Sequence, residues 1–159
     1  MTIDLARRRF SLGLARSCAW FAALASTSSH AADESPAPET LLQRARAVTN
    51  GAPIRSGRVV IDTPRLADNG HSVPIMVRVE SAMTEKDFVR RIALVSESNP
   101  RPLIATFHLS AKSGRAEITT RIRLNKTQQV MALAELSDGS FWASRAEVIV
   151  TESACLDAD

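Results

Sequence analysis

Residues 148–159 read Val-Ile-Val-Thr-Glu-Ser-Ala-Cys-Leu-Asp-Ala-Asp, which sets one thiol, Cys155, four residues beyond a β-branched run that stops at Thr151. A thiolate is a nucleophile, a redox centre and a covalent handle. Four extended peptide units reach about 14 Å, so this spacing would carry the sulfur clear of a folded body and into a pocket on another protein. Glu152, Asp157, Asp159 and the terminal carboxylate surround it, and like charge opposes forming the thiolate. Alone, Cys155 is expected to be a weak nucleophile. A thiol activated inside a partner's site fits this better than a thiol enzyme, which needs cationic neighbours. The plain alternative is a frayed end whose cysteine does nothing.

Other chemistry is poorly supplied. His71 follows a turn and His108 sits on the outward side of an alternating run, neither with a cysteine or second histidine at ligand spacing, so ordinary surface histidines are expected rather than a metal site. No Gly-x-Ser-x-Gly elbow and no phosphate-binding glycine loop occur. Thr119, Arg121 and Arg123 share one face, and Arg90 and Arg91 open another run; these read as solvated faces, or else as a docking surface for an acidic partner.

The N-terminus carries a basic stretch with Arg7-Arg8-Arg9-Phe10-Ser11-Leu12, the apolar core Cys18-Ala-Trp-Phe-Ala-Ala-Leu-Ala25 and the small-residue exit Ser29-His30-Ala31. Arg-Arg-x-Phe-x-Leu before a short apolar core marks a twin-arginine signal peptide over residues 1–31, with export to the periplasm and a mature start near Ala32. Eight apolar residues cannot cross a hydrocarbon layer that needs about 20. Four of the 20 basic residues (Arg7, Arg8, Arg9, Arg16) and one of the 17 acidic ones (Asp4) leave with that leader, so 16 of each remain. The basic pI thus belongs to the leader, and no nucleic-acid or membrane partner is expected from overall charge. With Cys18 gone, Cys155 has no internal partner in an oxidising compartment; it is free, modified, or bonded to another chain.

The elements that would position Cys155 follow from periodicity. Residues 32–56 hold a polar start and a short amphipathic helix over 39–49, with Leu41, Leu42, Ala45 and Val48 at helical spacing and Asn50-Gly51 as the stop; it should lie on the domain or on a partner. From Gly57 the period changes to two, predicting strands at 58–62, 72–81, 89–96, 103–110, 115–124, 128–136 and 141–151. Seven strands in residues 57–151, with turns such as Asp68-Asn69-Gly70 and Asp138-Gly139 between them, predict an all-β, immunoglobulin-like antiparallel sandwich. No crossover helices are available for a parallel sheet. Alternation puts Val73, Ile75, Val77 and Val79 in the core, with Leu103, Ala105, Phe107 and Leu109, and with Ala116, Ile118, Thr120, Ile122 and Leu124. The strand from Val130 to Leu136, apolar on both faces, should be central or covered by a partner. Phe141 and Trp142 should point to opposite faces, and an exposed one would mark an interface.

Several runs resemble one family. They are Asn99-Pro100-Arg101-Pro102, Ala105-Thr106-Phe107-His108, Thr120-Arg-Ile-Arg-Leu-Asn-Lys-Thr-Gln128 and Ala134-Glu-Leu-Ser-Asp-Gly-Ser-Phe-Trp142, with Asp62-Thr63-Pro64 and Asp68-Asn-Gly-His-Ser-Val-Pro74. Together with the leader they resemble SoxY, the periplasmic carrier protein of thiosulfate oxidation, over nearly all of the mature chain. The resemblance implies a protein that is not itself an enzyme and needs no cofactor of its own. It implies an immunoglobulin-like domain over 57–151, a heterodimer with a SoxZ-like subunit, and sulfur intermediates held covalently on one cysteine of a C-terminal arm, residues 152–159. It further implies three enzymes that act on the loaded arm: the haem c-type cytochrome SoxAX, the metal-dependent hydrolase SoxB and, where present, SoxCD. The family's Val-Thr-x-Gly-Gly-Cys-Gly-Gly falls on Val150, Thr151, Glu152, Ser153, Ala154, Cys155, Leu156 and Asp157. Cys155 takes the carrier position with its spacing kept. The four glycines are replaced, so the arm should be stiffer and thicker, most of all at Leu156. That departure motivates a second expectation, a SoxY-like interaction module that has lost sulfur carriage.

Overall fold

The computed structural model describes residues 38–152. The expected leader (1–31), residues 32–37, and Ser153, Ala154, Cys155, Leu156 and Asp157 of the expected arm lie outside the described residues. The elements are α1 (Glu39–Val48), β1 (Ile54–Arg55), β2 (Val59–Asp62), β3 (Leu66–Asn69), β4 (Val73–Val79), β5 (Val89–Ser96), β6 (Leu103–His108), β7 (Glu117–Ile122), β8 (Gln128–Leu136) and β9 (Phe141–Glu152). All seven predicted strands form, as an immunoglobulin-like β-sandwich with one short helix at its N-terminal side.

Helix α1 starts after Pro38 and ends where Asn50 and Gly51 adopt left-handed φ angles of 53° and 80°. Its apolar face is covered by its own domain: Leu41 and Ala45 pack with Ala93, Val95, Met131, Leu133 and Ala143 on the outer face of the large sheet. Burying Leu41 fully is worth about 2 kcal/mol. Arg44 Nη1 donates to Ser96 O at 3.0 Å, and Arg91 pairs with Glu135 and donates to Val48 O at 3.2 Å, so two arginines tie the helix end to β5. The result is three layers: helix, large sheet, small sheet.

The large sheet runs β1-β9-β8-β5-β6, with β3 also on β9; the small sheet runs β2-β4-β7. Between them lies the main core. Val73, Ile75, Val77 and Val79 of β4 meet Ile92 and Leu94 of β5, Val130, Ala132, Ala134 and Leu136 of β8, and Val148 and Val150 of β9. Strand β8 is thus apolar on both faces because one meets the small sheet and the other meets α1. Phe141 is buried, and Trp142 is half-buried with its Nε1 donating to Ser140 Oγ at 2.9 Å and the Arg58 guanidinium 5.1 Å from its ring centre; neither marks an exposed interface.

Three features depart from expectation. The short strands β1 and β3, absent from the sequence reading, pair with β9 in parallel. The crossover requirement constrains only strands consecutive in the chain, and β3 and β9 are separated by five others. Leu103 is 47% exposed, not core. Val95 pairs with Leu103 and Leu94 with Ala105, so Ile104 is an inserted bulge residue that reverses the alternation and takes the inward place itself. Strand β9 continues through Glu152 instead of stopping at Thr151.

Candidate functional site

The arm begins where β9 ends, and its root is built from three directions. Val148 and Val150 point into the core, which fixes the strand's register and leaves Ile149 and Thr151 facing out. From one side comes the β7–β8 connection: Val150 N donates to Thr127 Oγ1 at 2.9 Å. From the other comes β3: Leu66, Ala67 and Asn69 are opposite Ile149, Val150 and Glu152, Ile149 N donates to Arg65 O at 2.8 Å, and Thr151 Oγ1 donates to Asp68 O. Buried Gly70 closes the end of the sandwich, its N–H donating to Glu152 O at 2.9 Å while its carbonyl accepts from Leu124 N at 2.8 Å.

A buried amide cluster braces the connection that carries Thr127. Gln128 Nε2 donates to Asn99 Oδ1 at 2.8 Å and to Asn125 Oδ1 at 2.9 Å, and Gln128 Oε1 accepts from Ser98 N at 2.9 Å. Asn99 Nδ2 in turn donates to Arg123 O at 2.8 Å, and Asn125 Nδ2 to Ser98 O at 2.9 Å. Asn99 and Gln128 are almost wholly buried, where an unpaired amide is costly, so this knot holds two loops in a single arrangement. It gives Asn99 and the 125–128 stretch a structural task that motif reading left open.

Of the predicted arm residues, Glu152 is described: exposed, in strand conformation, opposite Asn69. Cys155 stands three residues further on, so full extension carries it at most about 11 Å from Glu152, a shorter tether than the four units expected. Thr127, Gly70 and β3 were missed. Asp68-Asn69-Gly70 reads as turn chemistry, and the family-like runs 68–74 and 120–128 include Gly70 and Thr127 without saying what they do.

Elsewhere, His71 and His108 are exposed, and among the described residues no three His, Cys, Asp or Glu side chains cluster so as to hold a metal. No described helix is long and apolar enough to cross a membrane. Arg90 Nη2 donates to Ser137 O at 2.8 Å, and Arg91 is committed to Glu135 and α1, so this pair serves the fold. A groove of about 490 Å³ between α1 and β6, lined by Ala47, Val48, Val95, Pro102 and Leu103 with Arg44 and Arg91, has no acid–base pair. At the opposite end of β9, the Asp138 carboxyl accepts from Ser140 N at 2.9 Å. Hydrogen bonding from Ser140, and more weakly the charges of Arg55 and Arg58, hold its pKa below the ordinary carboxylate value.

Fold and site together define a class: an immunoglobulin-like sandwich whose last strand is clamped on both edges and hands on to a short cysteine-bearing segment. The chain belongs to the SoxY family, since the profile described as "Sulfur oxidation protein SoxY" matches residues 44–155. Among solved structures it is similar to the sulfur carrier protein SoxY from Chlorobium limicola f thiosulfatophilum, with a TM-score of 0.59 and 24% identity over 70% of this chain and 96% of that one. The superoxide reductase (neelaredoxin) from Ignicoccus hospitalis gives 0.53 and 17%, over 59% and 80%. A putative superoxide reductase from Thermotoga maritima gives 0.50 and 18%, over 64% and 95%. These likenesses are of fold. No curated protein sequence matches the chain significantly.

Proposed function

We propose that this protein is a covalent sulfur carrier of periplasmic thiosulfate oxidation, loaded on Cys155. The observation that carries the reading is the extent of the family match, which runs to residue 155 itself. The clamped root of β9 adds to it, because a rigid base with a short tether presents one sulfur atom to a pocket at small entropic cost. The similar SoxY structure from Chlorobium limicola f thiosulfatophilum is likewise called a sulfur carrier. The loading step is Cys155–SH + S₂O₃²⁻ → Cys155–S–S–SO₃⁻ + H⁺ + 2 e⁻, in which a sulfur–sulfur bond forms and both electrons pass to a c-type cytochrome of the SoxAX kind. Hydrolysis by a SoxB-like enzyme, Cys155–S–S–SO₃⁻ + H₂O → Cys155–S–SH + HSO₄⁻, then leaves a persulfide for a SoxCD-like enzyme to oxidise. The chain itself does no catalysis in this scheme; acidic neighbours keep its thiol protonated until a partner's site ionises it. A SoxZ-like subunit completes the carrier as a heterodimer, and the twin-arginine leader delivers it to the periplasm.

Mass spectrometry of the chain after incubation with thiosulfate and the cognate cytochrome is expected to show a thiosulfonate adduct on Cys155 that is absent from Cys155→Ser. An unmodified arm under those conditions overturns the carriage. The replaced glycines at Ser153, Ala154, Leu156 and Asp157 favour the second reading, an interaction module without carriage. That reading wins if Cys155→Ser and restoration of Gly-Gly-Cys-Gly-Gly both leave sulfur oxidation unchanged in a strain that depends on this protein.

A further inference from the structure

The end of the sandwich from which the arm leaves is rimmed by basic side chains. Glu152, Gly70 and Leu124 are linked in a row by the two backbone hydrogen bonds at 2.9 and 2.8 Å, and hydrogen-bonded chains lie about 5 Å apart. His71 follows Gly70, Arg123 adjoins Leu124, and Lys126 precedes Thr127, whose hydroxyl is bonded to Val150, so the backbones of all three sit at most about 17 Å from Glu152 by that spacing and the length of a residue. Arg121 is on the same side, its Nη1 donating to Ser72 Oγ at 3.4 Å. All four side chains are exposed. The four ion pairs among the described residues use Arg58, Arg65, Arg78 and Arg91, and neither Arg123 nor Lys126 has a side-chain hydrogen bond or ion pair with a described residue. Asp68 and Glu152 are the acidic groups on this rim, and Asp68 is exposed as well.

Seven residues, 153–159, follow Glu152, and their only charged side chains are those of Asp157 and Asp159. Five residues span at most about 18 Å, so Asp157 reaches every part of the rim, and Cys155 reaches Arg123 and Lys126 through their own side chains. We propose that His71, Arg121, Arg123 and Lys126 form a docking surface for this chain's own residues 153–159, held by Asp157 and Asp159 and, on the loaded chain, by the sulfonate-type oxyanion on Cys155. The cargo part rests on the carrier reading; the docking of the two aspartates does not. Exposed charge pairs are individually weak and salt-sensitive, so the docked arm exchanges with an extended one, and a partner's more basic, drier cleft outcompetes the collar. Docking keeps the loaded sulfur from stray thiols between enzymes without locking it away.

The test uses the chain with no enzyme present. Tetrathionate loads the thiolate directly, Cys155–S⁻ + S₄O₆²⁻ → Cys155–S–S–SO₃⁻ + S₂O₃²⁻, with loading read by mass. Backbone amide resonances of His71, Arg121, Arg123 and Lys126 are compared in the unloaded chain, the loaded chain, the double variant Asp157→Asn, Asp159→Asn, and a chain ending at Glu152. We expect collar shifts on loss of the aspartates, larger shifts on loading, and their collapse at about 0.5 M salt. Release of the thiosulfonate by neutral dithiothreitol is expected to speed up about fivefold in Arg123→Glu, Lys126→Glu at low salt, but not in Arg123→Lys. Collar amides that stay in place in every comparison overturn the docking, even if the cytochrome loads Cys155 normally. Collar shifts in the unloaded chain uphold it, even if thiosulfate and cytochrome give no adduct and the carrier reading fails.

Discussion

Gln128 shows how a single polar side chain is made structural. Its amide serves Asn99, Asn125 and Ser98 at once, so Gln128→Leu would leave the Ser98 N–H and the Asn125 Oδ1 without these partners in a closed space, while Asn99 Oδ1 keeps the Asn125 N–H. Each costs about 1–3 kcal/mol; we expect a loss of about 3 kcal/mol in chemical denaturation, with Gln128→Glu also destabilising because it converts a donor into a buried charge. Asp138 is the opposite case, exposed and tuned by local hydrogen bonds from Ser140. Its folded-state pKa is depressed, so its contribution to the β8–β9 turn is present above the unfolded carboxylate pKa and is lost as pH falls through the folded one. A carboxyl titration by NMR should place Asp138 below an ordinary aspartate, and Ser140→Ala should move it back up.

Strand β9 illustrates what an element needs beyond its own sequence. Among the described residues the Thr127 side chain bonds Val150 alone, its Oγ1 accepting from the N–H at 2.9 Å and donating to the carbonyl at 3.4 Å. Thr127→Val therefore frees that N–H. We expect exchange of the Val150 amide to quicken about tenfold, since removing such a bond costs about 1.4 kcal/mol, while Ala132 in the middle of β8 stays protected; equal acceleration at both would mean global loosening instead. The seven expected strands and α1 were legible because burial imposes a period of two or 3.6 on them. Strand β3 was not: Leu66-Ala67-Asp68-Asn69 buries one residue, Ala67, so it carries no alternation, and it is strand only because β9 lies alongside. Ile104 was hidden for a related reason, since a bulge shifts the phase without changing composition. Cys155 was conspicuous as the one thiol outside the expected leader, whereas the residues that hold the root of its tether are backbone-bonding ones whose types announce nothing.

Across the whole molecule, four of the seven strand pairings join distant parts of the chain, β1 and β3 with β9, β4 with β7 and β5 with β8, and β2 and β4 flank a core completed by β8 and β9. Sandwiches of such non-local contacts fold in milliseconds to seconds, and stopped-flow refolding of the described domain should fall in that window, with β9 protected late. A microsecond phase carrying the full amplitude would contradict the topology.

The clamp on β9 also has a mechanical side. Its ladder bonds run across the strand to β8 and at a slant to β3, so tension applied lengthwise through residue 152 strains them together, where a sideways pull would peel them singly. Withdrawing a gripped sulfur from a tight tunnel pulls lengthwise. Under the proposed carriage that load would be shared with both neighbouring strands, which predicts a domain that resists unravelling from its C-terminal end.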